Sequence, residues 1–204
     1  YDLYFETMRA SHTGQALDIQ GLGYMMPGVL EDDTIAKLLP KRVIAIHRLK
    51  SALPAGNLAR IGALLGDGTS EQVEALGEFF EALGISFQII DDTLNLKGFK
   101  DKLKTKGEDI TAGKITYPIA KAMTVMTKED RQLLWNIVSA KTDDIPLIGQ
   151  AIELLEKYRI IELCEKDAKR NLEHAWKHLD PLLPDSMVKL NLRAFSWFLL
   201  ERTY

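Results

Sequence analysis

Cysteine is almost missing from this 204-residue chain: Cys164 stands alone, so no internal disulfide can form. A reducing, cytoplasmic setting is the expectation. Its surroundings, IIELCEKD, read as the apolar face of a helix, and a buried inert thiol is expected there. No apolar run reaches the roughly 18 residues of a membrane span. No excess of positive charge exists either. The net charge is −3, which argues against a long phosphate backbone as partner, because nucleic acid requires a broad basic face. Lysines crowd together only between Lys97 and Lys106, a pattern suited to a small anion. No signal peptide is visible. The chain opens on Tyr1 in mid-pattern and its first methionine is Met8, so it reads as part of a longer protein.

Alternating strand patterns are also lacking, and the remaining signal is helical. Asp2 to Gln20 reads as a helix ending near Gly21 and Gly23. A loop is expected through Pro27, Gly28 and Glu31-Asp32-Asp33, with Asp33 as the N-cap of a helix from Thr34. Pro40 should kink or divide that helix, and Pro54 should mark another break. Small residues dominate from Ala55 to Gly66, which lets either a neighbouring helix or a ligand approach the backbone. A helix then runs from Ser70 to about Leu96. Helices are expected over Thr116–Thr127, Lys128–Ala140, Ile145–Glu156, Arg159–Leu179 and Asp185–Arg202. One all-α domain over residues 1–204 is the expectation.

The chemistry concentrates in FQIIDDTLNLKGFKDKLKTKGEDITAGKITYP, Phe87 to Pro118. Residues four apart share a helical face, so Asp91 and Asn95 stack, with Gln88 one turn earlier. Asp92 lies about 100° round the axis. This polar stripe crosses a helix that is otherwise apolar: Phe79, Phe80, Leu83, Ile85, Phe87, Ile89 and Ile90. Taken alone, the stripe reads equally as a helix end meeting water, and the lysines as a solvated surface. Their order is the composite signal: paired carboxylates, a lysine loop, Asp109, then Gly113-Lys114 opening another helix. Magnesium takes one or two protein carboxylates plus phosphate oxygens, and lysine adds compact positive charge.

These residues resemble a known family. FQIIDD followed by GEDITAGKITYP is similar to the second aspartate-rich region of trans-isoprenyl diphosphate synthases. Asn95 replaces the last aspartate of that motif, as it does in geranylgeranyl diphosphate synthases of animals and fungi. TGQALDI, Thr13 to Ile19, resembles the family's GQxxD helix, and LKSALP, Leu49 to Pro54, its lysine–threonine/serine step. The matches run from about Gly14 to Ala122. The first aspartate-rich motif is not in the chain; neither Asp32-Asp33 nor Asp143-Asp144 has the spacing. The chain therefore reads as the C-terminal two-thirds of such a synthase.

The resemblance implies an isoprenoid-synthase helical bundle around a central cavity. It implies prenyl transfer from an allylic diphosphate to isopentenyl diphosphate, with three magnesium ions and products of C15 to C20. Asp91, Asp92 and Asn95 would serve the metal, Asp91 foremost. Lys50, Lys104 and Lys114 would bind diphosphate, with Lys102 and Lys106 as alternatives to Lys104. Ser51 and Gln88 would orient the substrate. Gln15, Asp18 and Phe87 would line the same cavity. His12 has a structural reading as well as a site one. A homodimer is the family expectation. Rival readings are a non-catalytic subunit of a heteromeric prenyl synthase, a class I terpene cyclase, and a helical scaffold without a ligand.

Overall fold

The structure is a computed structural model that describes residues 1–97 and 107–201. Among these residues every regular element is helical. In chain order they are α1 (Asp2–Gln20), a 3-10 turn (Gly23–Met25), α2 (Met26–Glu31), α3 (Asp33–Ala36) and α4 (Leu39–His47). A π-helical segment (Arg48–Ala52) joins α4 to α5 (Leu53–Leu65), and α6 follows (Ser70–Lys97). Next come α7 (Glu108–Thr111), α8 (Tyr117–Val125), α9 (Lys128–Ser139) and α10 (Ile145–Lys157). The chain closes with α11 (Ile160–Leu179), a 3-10 turn (Asp180–Leu182) and α12 (Met187–Glu201). None of the described helices is long and apolar enough to cross a membrane.

Three local expectations need correction. Pro27 and Gly28 belong to α2, with Pro27 in its first turn, where the missing N–H has no intrahelical partner to lose. The cap of α3 is Asp32, not Asp33: its carboxylate accepts from the Thr34 N–H at 2.6 Å. Pro54 does not break the chain. The π segment opens the ladder by one residue, so that Leu53 N–H bonds Arg48 C=O, and Pro54 falls in the first turn of α5. Pro40 does divide its helix: α3 ends at Ala36 and α4 starts at Leu39. Thr69 and Gln72 form a reciprocal capping box at the start of α6, bonded at 3.0 and 3.3 Å.

The described chain forms two compact units. The first comprises Tyr1–Ile19, Ala45–Gln88 and Lys166–Arg202. Its core holds Ala75, Phe79, Leu83, Leu172 and Leu179, with Trp176 against Phe79 edge to face at 5.5 Å. Polar bolts tie α6 to α11: Ser86 Oγ donates to Ala168 C=O, and Asn171 Nδ2 donates to Ala82 C=O, each at 2.9 Å.

Glycines set the spacing inside this unit. A Cβ on Gly14 of α1 would lie 2.3 Å from the Lys50 backbone nitrogen. One on Gly84 of α6 would lie 2.7 Å from Ala52 Cα. The π segment is thus gripped at its backbone by two helices. The small-residue helix α5 divides its roles. Gly56 is filled by a neighbour, since a Cβ there would meet Glu81 Cγ at 2.5 Å and Gly77 C=O at 2.8 Å, while Gly62 faces open space. Glu81 is buried and ion-paired to Arg48 at 2.8 Å and Arg60 at 2.9 Å, which ties α6 to the start of the π segment and to the middle of α5.

The second unit is built mainly from Gln20–Ile44 and Ile89–Glu165. Here α2 packs on α3 and α9, α3 on α8, and α9 on α10. Met26, Val29, Leu39, Ile119, Met123, Leu134 and Leu155 are buried. Arg131 is buried too. Its guanidinium donates to Met126 C=O at 3.0 Å and to Asp33 at 2.7 Å. Cys164 is buried as expected.

Two glycines of the first unit offer a direct test. Gly14→Ala should lower stability by about 1–3 kcal/mol, because backbone cannot yield as a side chain can. Gly62→Ala should raise the urea midpoint slightly, since its methyl meets nothing and alanine favours a helix by about 1 kcal/mol. Equal midpoints for both variants would contradict the close approach at Gly14.

Candidate active site

In the first unit the GQxxD helix and the lysine step come together. Lys50 Nζ lies 2.6 Å from Asp18 Oδ2, with both side chains part-buried. The pair exists because Gly14, one turn before Asp18, lets α1 touch the π segment, backbone on backbone. Ser51 follows Lys50 on the same segment and is half-buried. Gln15 is exposed, as is His12. Phe87 and Gln88 are half-buried on α6.

In the second unit the end of α6 meets the segment from Gly107 to Tyr117. Asp91 is half-buried, whereas Asp92 and Asn95 are buried. Asp92 Oδ2 accepts from the Tyr117 N–H at 2.8 Å, capping the first turn of α8 from outside its own sequence. Asn95 is used twice: its Oδ1 accepts from the Asp109 N–H at 3.1 Å and its C=O from the Gly107 N–H at 2.9 Å. Gly107 and Gly113 adopt φ of +79° and +70°, the left-handed region that favours glycine. Gly113 ends α7, and the Lys114 N–H returns to Asp109 C=O at 2.9 Å. Lys114 is half-buried. Lys104, with Lys102 and Lys106, lies outside the described residues.

Asp92 has an altered proton affinity. Burial pushes it up to about 7; Tyr117 N–H and Lys114 pull the other way, and Asp109 and Asp91 add to the rise. These groups therefore share one electrostatic neighbourhood.

The donor set fits magnesium in its usual mode. Among the described residues no cluster of three acidic, histidine or cysteine side chains could enclose a metal. Magnesium does not require one, because one or two carboxylates suffice when phosphate supplies the remaining oxygens. Asp91 and Asp92 are the carboxylates of the motif that could serve in this way. The Asn95 side-chain oxygen also accepts from the Asp109 N–H.

Motif reading names the residues that carry charge but passes over those that place them. Gly84, Glu81 and the Tyr117 N–H are not visible as site elements in sequence. Gly14 is visible only as the first letter of GQxxD.

A family model described as polyprenyl synthetase matches residues 1–155. A short chain isoprenyl diphosphate synthase from Methanothermobacter thermautotrophicus is 31% identical over 160 residues, covering 78% of this chain and 48% of that protein. The chain thus spans about half the length of that relative. The crystal structure of a geranylgeranyl pyrophosphate synthetase from Pyrococcus horikoshii matches with TM-score 0.81 and 24% identity, over 98% of this chain and 57% of that one. A geranylgeranyl pyrophosphate synthase from Corynebacterium glutamicum, complexed with isoprenyl diphosphate and magnesium, matches with TM-score 0.77 and 24% identity, over 98% and 54%. At these identities the solved structures bear on the fold, which is all-α in agreement with the sequence.

The raised affinity of Asp92 makes a pH prediction. An unfolded aspartate titrates near 3.8 and the folded one near 7, so the fold favours the neutral acid. Its contribution is full below 3.8 and is lost as pH rises through 7. Urea melts of the metal-free protein should show this loss, and Asp92→Asn should remove it. An identical pH profile in the variant would refute the assignment.

Proposed function

Because the chain belongs to the polyprenyl synthetase family, we propose that its protein joins isopentenyl diphosphate to an allylic diphosphate and releases a longer trans-prenyl diphosphate. The observation that carries this reading is the Lys50–Asp18 pair on a π-helical segment gripped by Gly14 and Gly84. A cation set that rigidly is suited to stabilising charge that develops during reaction.

The reaction breaks the C–O bond of the allylic diphosphate, leaving an allylic cation and a diphosphate anion. The isopentenyl double bond attacks the cation, and a proton passes to the departing diphosphate to complete the product. By the family resemblance, Lys50 and Lys114 are assigned to diphosphate oxygens, which their ammonium groups neutralise as the bond breaks. Asp18 aims Lys50. Ser51 and Gln88 orient the same group, and Gln15 and Phe87 line its surroundings. Lys104 is assigned to the diphosphate by the family motif alone. Asp91, assisted by Asp92, would hold magnesium, which supplies Lewis-acid stabilisation of the leaving group when bound. Three ions, a homodimer and products of C15 to C20 complete the proposal, all resting on the family resemblance. No cysteine or serine nucleophile is required.

The test is a product assay on the natural full-length protein. Isopentenyl diphosphate is offered with dimethylallyl, geranyl or farnesyl diphosphate, with magnesium or with EDTA. Chain elongation that EDTA abolishes is the expected result; no product in magnesium would overturn the proposal. Asp91→Ala should lower kcat at least ~10²-fold, as removal of one stabilising group does. A loss below about tenfold would remove Asp91 from its role. Lys114→Ala should raise KM for the allylic diphosphate, and an unchanged KM would make it a surface residue.

A further inference from the structure

Asn95 sits where family resemblance leads one to expect a metal ligand, yet its surroundings describe another task. The side chain is buried, at 6% exposure. Its one acceptor oxygen is directed at the Asp109 N–H, 3.1 Å away. The Asp109 C=O in turn accepts from the Lys114 N–H at 2.9 Å. One residue, Asp109, therefore connects the Asn95 carboxamide to the backbone of Lys114 through its N–H and its C=O. The main chain of Asn95 adds a second tie, accepting from Gly107. Both bonds hold the same short helix, α7, whose two flanking glycines take left-handed φ and sit against side chains. A Cβ on Gly107 would meet Ile148 at 2.7 Å, and one on Gly113 would meet Lys141 at 2.7 Å. Packed on one side and bonded on the other, α7 has its position specified from two directions, and Lys114 leaves its end.

We propose that Asn95 is a positioning residue for Lys114, acting through the Asp109 peptide, and that it does not ligate the metal. Losing the acceptor of an N–H that is shielded from water is costly, so the bond from Asp109 fixes the direction of the Asn95 carboxamide. The consequence for substrate is indirect: loss of the brace displaces a diphosphate-binding ammonium without removing a metal ligand. This inference rests on the proposed role of Lys114.

The test compares Asn95→Leu, which cannot accept a hydrogen bond, with Asn95→Asp, which can. Three readouts are taken on the full-length protein: amide hydrogen exchange at Asp109 and Lys114, calorimetric binding of inorganic pyrophosphate, and steady-state kinetics with the magnesium half-saturation point. Asn95→Leu should lose protection at both amides, weaken pyrophosphate and raise KM for the allylic diphosphate roughly tenfold. Its magnesium half-saturation should stay within about twofold of wild type. Asn95→Asp should restore protection and KM with no tightening of magnesium dependence. A tenfold shift in magnesium half-saturation with Asp109 still protected would overturn the inference, as would failure of Asn95→Asp to restore KM. If Asn95→Leu does not fold, Asn95→Asp decides alone: a ligand at this position requires tighter magnesium dependence, a brace does not. The exchange and pyrophosphate readouts need no turnover, so failure of the enzymatic reading would leave this result standing on its own.

Discussion

Backbone contact between α1 and the π segment is the constraint on which the first unit depends. At Gly14 the gap leaves no room even for a methyl group. The same closeness brings Asp18 within 2.6 Å of Lys50. Gly84 presses from α6 on the other side, and Glu81, three residues before it, anchors Arg48 and Arg60. A widened π turn is a strained way to continue a helix, and such turns gather at functional sites. Here it is held by packing that cannot relax, so Lys50 and Ser51 occupy positions that an uninterrupted α-helix would not give them.

The second unit solves a related problem with hydrogen bonds. The polar end of α6 is sunk among buried side chains, and buried polar groups must be paired. Asp92 and Asn95 meet that need by capping and bracing the two short elements that follow. Of the three polar residues of the motif, Asp91 is the least buried. The cost is visible in the proton affinity of Asp92, which burial moves toward neutrality.

Helix order was readable because the apolar spacing is strong, but the short helices α2 and α7 fall where loops were expected. The far half of the chain, from α8 to α12, matched its expected bounds within a few residues. Misreadings clustered at proline and at caps. Pro54 was expected to break a helix because, for an isolated helix, the loss of an N–H is uncompensated; the π turn compensates it. Asp32 and Asp33 are adjacent, and only backbone geometry selects which one caps α3. The double role of the α5 glycines, one filled and one open, is likewise a matter of what lies opposite.

By itself the sequence determined the helical class, the family and the identity of the charged residues, because these depend on local spacing and on side-chain chemistry. Tertiary structure decided which of those groups are brought together, as in the Lys50–Asp18 pair. Asp18 could have faced any direction until Gly14 set the distance to Lys50. The Asn95 carboxamide could have turned anywhere until the fold set its oxygen 3.1 Å from the Asp109 N–H. Both outcomes turn on contacts between residues 14 to 32 positions apart, distances over which composition and periodicity carry no information, and over which close packing carries all of it.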